Sequence, residues 1–153
     1  MYEYTVFRMK EEISWHYFHK SDILYRFIKH YQKEYQQRPD LQVQYDYSTY
    51  PFPGEQFCNI VEEKLDPSMF SIENVDFLRL RKNSTNIPLH ISEKHLKFRC
   101  KTILDAEEIL FPILRQIDST FFIIGENIAQ YGWVSPVIRL REPNLGQVLY
   151  SYH

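Results

Sequence analysis

Residues 94–101 read KHLKFRCK, and apolar residues occupy every second position through most of this stretch. Leu96, Phe98 and Cys100 fall on one side of an extended chain, and the polar residues between them fall on the other. Because successive side chains of a strand point to opposite faces, this alternation predicts a strand with one buried and one solvated face. Residues 75–81, VDFLRLR, alternate in the same way. The two stretches together predict an antiparallel sheet that buries one face.

Further strands are predicted on both sides of this central region. Residues 2–9 are rich in β-branched and aromatic residues, and residues 120–125, TFFIIG, are apolar throughout, which suits a strand covered on both faces. Residues 43–49 alternate loosely and predict an irregular strand, and residues 147–152 form one possible strand in the C-terminal tail.

Helical segments are predicted from apolar residues that recur at helical spacing. They cover approximately 11–20, 22–36, 54–65 and 105–117. Ser21 and Asp22 are candidate caps for the second helix, and Asp105 is one for the fourth. Pro112 lies inside the fourth helix and should kink it, because proline cannot donate the backbone hydrogen bond.

The predicted architecture is a single α/β domain that spans residues 1–153. We expect a sandwich with a mixed or mostly antiparallel sheet and about four helices packed mainly on one face. A chain of 153 residues with 44% apolar residues can bury a substantial core without disulfides or metals.

Charge and cysteine content exclude several classes of protein. Eighteen basic and 20 acidic side chains give a net charge of −2, so there is no global attraction to nucleic acid. No apolar run approaches the ~20 residues that span a membrane, and the N-terminus has no secretory pattern. Cys58 and Cys100 lie within apolar patterns, as reduced core cysteines do. We therefore expect a cytoplasmic protein without a membrane anchor.

Motifs for nucleotides, zinc and covalent catalysis are absent from the sequence. The four glycines do not have the spacing of a phosphate-binding loop, and there is no HExxH, CxxC or GxSxG. Catalytic sites built from single residues leave no such motif, so this absence by itself does not exclude an enzyme. We predict no cofactor, no catalytic residue and no small-molecule substrate.

The segment at residues 11–20, EEISWHYFHK, nevertheless raises the possibility of a metal site. On a helical wheel Glu12, His16 and His19 share one side, because each residue advances by about 100°. One carboxylate and two imidazoles could hold zinc, so a metal-dependent enzyme is one alternative function. The same residue types also form an ordinary solvated helix face, which is the interpretation we favour.

The apolar residues of this segment form two stripes rather than one. Trp15 and Phe18 lie on one side of the wheel, and Ile13 and Tyr17 lie nearly opposite. A surface helix normally has one stripe, which packs on its own protein. If Trp15 and Phe18 face the sheet, the other pair is left as a candidate anchor for a partner. Alternatively, the second helix covers that pair.

A third candidate site is the solvated face of the two alternating strands. If these strands pair, one face collects Arg79, Arg81, Lys97, Arg99 and Lys101. Such a face could meet phosphates or an acidic partner, so a small nucleic-acid-binding or acidic-partner-binding module is a second alternative. Long charged side chains also commonly cover the apolar surface of a sheet, and we expect no direct contact with nucleic acid.

Several short stretches also resemble one known family. They are MKEE at 9–12 with HYF at 16–18, YSTYPFP at 47–53, AE at 106–107 with Ile109 and Phe111, and YGW at 131–133 with PV at 136–137. In this order and approximate spacing they resemble the sporulation inhibitor of replication proteins, the SirA family of endospore-forming bacteria. The resemblance covers about residues 1–137 and leaves 138–153 as a C-terminal extension.

This resemblance implies a non-enzymatic inhibitor that binds the N-terminal domain of the replication initiator DnaA during sporulation. The contact surface that it implies is Ile13, Ser14, Tyr17, Gln44 and Tyr47, with Glu12 and His16 as a possible polar rim. Ile13 stands where the family usually has an aromatic residue, a departure that would alter affinity or initiator specificity. Ile13 and Tyr17 are also the apolar pair that the helical wheel left without a partner.

Overall fold

The N-terminal strand lies inside the sheet, where it pairs with three other strands. The computed structural model describes residues 1–135, which contain one antiparallel sheet of eight strands. The strands are β1 (Tyr2–Met9), β2 (Thr49–Tyr50), β3 (Phe70–Ile72), β4 (Phe77–Lys82), β5 (Thr85–Ile91), β6 (His95–Cys100), β7 (Phe121–Gly125) and β8 (Tyr131–Trp133). Their order is β3-β4-β5-β6-β1-β7-β8, and β2 pairs with the end of β1 at Arg8 and Met9. The expected α/β class with a mostly antiparallel sheet is confirmed.

The helices lie between these strands along the chain. They are α1 (Glu11–Tyr17), α2 (Ser21–Glu34), α3 (Pro39–Ser48), α4 (Gly54–Lys64), α5 (Ile103–Ile109) and α6 (Phe111–Ile117). A short 3₁₀ turn, Phe18–Lys20, joins α1 to α2. The break expected from Pro112 is present, because α5 ends at Ile109 and proline occupies the first turn of α6.

Apolar side chains of β1 and β7 point to both faces of the sheet, and helices cover both. Tyr4 and Val6 face a core formed with α4, α5 and α6, which we call the closed layer. Phe7 and Met9 face a second core formed with α2, α3 and the 3₁₀ turn that follows α1; together with α1 this is the open layer. The expectation that the helices pack mainly on one face was therefore wrong. A central strand that is apolar on both sides must be covered on both.

Residues 43–48 form part of a helix rather than the predicted irregular strand, and Thr49 begins β2. Pro39 occupies the first turn of α3, where its fixed backbone angle favours a helix. Leu41 and Tyr45 then follow at helical spacing, and both are buried. The loose alternation of the sequence hid this pattern, because α3 has its other large apolar residues, Val43 and Tyr47, exposed to water.

Strand β5 was not predicted, and it separates the two alternating strands. Leu89 of β5 pairs with Leu78 of β4 on one side and with Phe98 of β6 on the other. Strand β3 was also missed. The candidate caps were wrong as well: α2 has no capping side chain, and α5 begins before Asp105, at Ile103.

Three further observations bear on the predictions. Cys58 and Cys100 are free thiols, and Cys100 is buried in the closed layer. Within residues 1–135 no helix has the length and apolar character needed to cross a membrane. The strand predicted at 147–152 lies outside the described residues.

Candidate partner-binding groove

Helix α1 is held against the protein by two side chains on one of its sides. Ser14 is buried, and its Oγ donates a hydrogen bond to the Glu11 carbonyl at 2.7 Å. Phe18, in the 3₁₀ turn, is buried beside Trp133, with 6.5 Å between the ring centroids. The acidic first turn, Glu11 and Glu12, suits the positive end of the helix dipole. These contacts leave the neighbouring face of α1 open.

An apolar groove of about 630 Å³ lies on that face, between α1, α2 and α3. It is lined by Ile13, Tyr17, Ile23, Leu24, Phe27, Val43, Gln44, Tyr47 and Ser48. Val43 is 67% exposed, Tyr47 62% and Ile23 43%. Contiguous apolar side chains that remain in water are typical of an interaction surface.

A pair of stacked tyrosines beside the groove holds α2 against α3. The rings of Tyr31 and Tyr45 are parallel within 3°, and their centroids lie 4.0 Å apart. Burial, with a smaller contribution from Tyr31, raises the pKa of Tyr45 well above its usual range, so its hydroxyl stays neutral. The relative position of these two groove walls is therefore set by packed rings.

Four of the five predicted contact residues line this groove: Ile13, Tyr17, Gln44 and Tyr47. They come from α1 and α3, which are separated in the chain by all of α2. The fifth, Ser14, is only 1% exposed and lies beneath α1, so in the free protein its side chain supports the helix. Ile13 and Tyr17 are half-buried, because they pack in part against the core of the open layer, which contains Leu24.

Trp15 is a correction to the helical-wheel prediction, because it is 66% exposed rather than packed on the sheet. The side of α1 that packs is centred on Ser14 and Phe18, and Trp15 lies about 100° from Ser14. The wheel assumed one continuous α-helix to Lys20, whereas α1 ends at Tyr17. The pairing of Trp15 with Phe18 was therefore wrong.

The sequence analysis missed the remaining apolar lining of the groove. Ile23 and Phe27 lie four residues apart on α2, and Val43 and Tyr47 lie four residues apart on α3. The apolar residues of α2 served the sequence analysis only as evidence that residues 22–36 form a helix. The α3 pair would have been visible in the sequence if residues 39–48 had been recognised as a helix.

The predicted polar rim residues, Glu12 and His16, are both exposed on α1. The His16 ring meets the Tyr17 ring edge-on, with 4.7 Å between their centroids. His16 therefore lies next to a groove residue, where it can offer hydrogen bonds at the edge of an apolar contact.

The geometry does not support a metal site at Glu12, His16 and His19. His19 lies in the 3₁₀ turn beyond the end of α1, so the regular helical spacing does not extend to it. In the part of the chain that the structure describes, no three His, Cys, Asp or Glu side chains are grouped so that they could hold a metal ion.

The basic sheet face is present, but β5 divides it. Arg79, Arg81, Lys97 and Arg99 lie on the side of β4 and β6 opposite the closed layer. Three of them bind groups of the protein itself: Arg79 to Glu73 at 3.3 Å, Arg99 to Glu3 at 3.3 Å, and Arg81 to the Phe70 carbonyl at 3.4 Å. Lys101 follows β6 and is exposed. Much of the charge on this face is thus engaged internally.

Comparison with known proteins agrees with the resemblance found in the motifs. The family model described as "Sporulation inhibitor of replication protein SirA" matches residues 2–138, which include every helix and strand described above. A protein with that description from Bacillus subtilis (strain 168) is 24% identical over 138 residues, covering 88% of this chain and 93% of the relative. The chain belongs to the SirA family.

Proposed function

We propose that this protein inhibits the initiation of chromosome replication during sporulation by binding the N-terminal domain of the initiator DnaA. The site of binding is the groove between α1, α2 and α3, and the site of action is the cytoplasm. One observation carries the proposal: residues assigned to partner contact from sequence resemblance, in two separate segments, converge on one exposed apolar groove.

The chemistry of the groove suits a protein partner. Tyr17 and Tyr47 offer large rings with few rotatable bonds, a residue type enriched among the side chains that dominate binding energy. Ile13 and Val43 add aliphatic surface between them. Gln44, Glu12 and His16 lie in water at its margin, as the polar rim of an interface does.

Inhibition by this site requires no reaction and no cofactor. A protein that occupies a surface of the initiator excludes the initiator's other partners from that surface, in proportion to the fraction bound. Ser14 takes part from below, because the part-buried hydrogen bond from its hydroxyl to the Glu11 carbonyl ties it to the first turn of α1. We therefore assign Ser14 a positioning role and Ile13, Tyr17, Gln44 and Tyr47 the contact role.

The test is calorimetric titration of the full chain against the N-terminal domain of DnaA from the same organism. Tyr17→Ala should weaken binding by about 30-fold or more, the effect of removing a dominant interface side chain. Trp15→Ala is the matched control, because Trp15 is also a large exposed aromatic on α1 but does not line the groove. It should bind like the wild type.

Full-strength binding by Tyr17→Ala would rule out the groove as the contact site. If Trp15→Ala reduced the affinity as much as Tyr17→Ala does, the interface would lie on another side of α1. Thermal unfolding of both variants, followed by circular dichroism, separates lost contacts from lost folding.

A further inference from the structure

Lys10 lies at the margin of the groove, between two exposed tyrosines. Its Nζ is 5.0 Å from the ring centroid of Tyr47 and 5.7 Å from that of Tyr50. Its backbone N–H donates to the Ser48 carbonyl at 3.0 Å, which fixes the start of α1 against the end of α3. Cations over aromatic faces are attracted by the ring electrons, so both rings help to hold the ammonium in place.

Arg8 adds a second cation to this arrangement, next to Tyr50. Its guanidinium carbon lies 5.4 Å from the Tyr50 centroid, and its Nη2 is 3.0 Å from Asp118 Oδ2. Tyr47, Lys10, Tyr50 and Arg8 therefore form a continuous row, which we call the cation–tyrosine ladder. Tyr47 belongs both to this ladder and to the groove.

The two cations of the ladder differ in one respect. Arg8 is neutralised by Asp118, whereas no carboxylate among residues 1–135 pairs with the half-buried Lys10. The adjacent Glu11 and Glu12 point into solvent without an ion pair to it. Among the other half-buried lysines of residues 1–135, Lys29 has a carboxylate oxygen of Glu126 at 3.6 Å, whereas Lys97 has no ion pair. Within residues 1–135, Lys10 thus carries a charge without an ion pair at the edge of the groove.

A partner that packs on Tyr47 must also approach Lys10, because the two groups are in contact. Covering the ammonium removes water from a group that is already half-buried. That loss is costly unless the partner supplies an acceptor, and a carboxylate is the strongest acceptor that a protein side chain offers.

We infer that the binding surface extends from the groove onto the cation–tyrosine ladder, and that Lys10 receives a carboxylate of the protein partner. The partner surface is accordingly apolar where it enters the groove and carries an Asp or Glu beside that apolar anchor. This inference rests on the proposed function, and it adds the charge of the partner and a specificity-determining residue to the site.

The test compares three substitutions at Lys10 by titration against the DnaA N-terminal domain at low and high salt. Lys10→Gln should weaken binding about 10- to 100-fold at low salt and flatten its salt dependence, since a charge-assisted hydrogen bond is lost. Lys10→Arg should stay within a few-fold of wild type. Lys10→Glu should bind more weakly than Lys10→Gln, because it repels the carboxylate.

Lys33→Gln is the control, since Lys33 is exposed on α2 outside the groove and should bind as wild type does. Equal losses for Lys10→Gln and Lys10→Glu would mean that only packing against the rings was removed, and would overturn the assignment of a carboxylate. Unchanged binding by Lys10→Gln, with Tyr17→Ala impaired, overturns this inference and leaves the proposed function intact. Absence of binding by the wild type overturns both.

Discussion

The two helical layers differ in how completely they are covered. In the closed layer, Phe57 and Val61 of α4 and Phe111 of α6 are fully buried against the sheet. In the open layer, α2 and α3 bury a comparable set beneath them but leave Val43 and Tyr47 in water. Both layers pack on opposite faces of the same strands, β1 and β7.

The cause of the difference is the number of apolar sides on each helix. Helix α4 has one buried stripe, and its opposite side is charged, with Glu62, Glu63 and Lys64 in the last turn and a half. Helix α3 buries Leu41 and Tyr45 and presents a second apolar pair, Val43 and Tyr47, away from the sheet. Apolar surface that the protein leaves exposed can be buried by a partner. We therefore expect the partner to bind to the open layer.

The largest expected effect is the loss of a buried ring in the closed layer. Phe57→Ala should lower the free energy of unfolding by about 3–5 kcal/mol, because it leaves a cavity in a packed core. Phe27→Ala removes a half-buried ring that lines the groove. It should lower the free energy of unfolding by clearly less than Phe57→Ala does, but it should weaken partner binding. Urea unfolding monitored by circular dichroism measures both. Equal losses of unfolding free energy would mean that the groove wall is as essential to folding as the closed core.

A matched pair of valine substitutions, one in each layer, tests the same comparison with smaller expected changes in the free energy of unfolding. Val61→Ala should cost about 2 kcal/mol, since a fully buried side chain loses apolar contact. Val43→Ala should change stability by no more than about 0.5 kcal/mol, because Val43 is exposed, yet reduce the affinity for the initiator domain. If Val43→Ala were the more destabilising change, the groove would be covered within the free protein.

Ser14→Ala separates support of α1 from contact with the partner. The change removes the part-buried hydrogen bond to the Glu11 carbonyl and should cost about 1 kcal/mol of stability. Affinity should fall far less than with Tyr17→Ala, as a positioning residue requires. A binding loss equal to that of Tyr17→Ala, at full folding, would instead show that the Ser14 hydroxyl reaches the partner.

The smallest expected effect is a pH dependence of folding stability that arises in the open layer. Burial, reinforced by Lys97, lowers the pKa of His95 below 6.5. His95 packs against Phe7 and shares a hydrogen bond with Ser92 Oγ at its Nδ1. Because the unfolded state then binds the proton more readily, stability is full above about pH 6.5 and declines as pH falls toward the lowered pKa. His95→Gln should remove that part of the decline in urea unfolding at pH 7 and pH 5.

The buried core of the closed layer should contribute nothing to this pH range. The titratable side chains buried in it, Tyr4 and Cys100, both have pKa values raised to about 12, mainly by burial. A slope between pH 7 and pH 5 that survived His95→Gln undiminished would therefore have to come from the exposed histidines or from carboxylates.

The sequence predicted the elements whose apolar periodicity is strong. Strand β1 has the predicted bounds, and α4 and β7 agree with their predictions to within one residue. Strand β5 escaped prediction although Ile87, Leu89 and Ile91 alternate, because Pro88 argues against a paired strand. Helix α3 escaped it because its apolar residues serve two different sides.

For the candidate site, the sequence by itself determined that α1 carries an apolar pair, Ile13 and Tyr17, separate from its packing side. Only the tertiary structure decided that α3 brings Val43 and Tyr47 to the same groove as that pair, and that Lys10 lies against the Tyr47 ring. The physical reason is that periodicity within one element reports which side of it is apolar. Which sides of distant elements meet depends on how sheet pairing and helix packing place them.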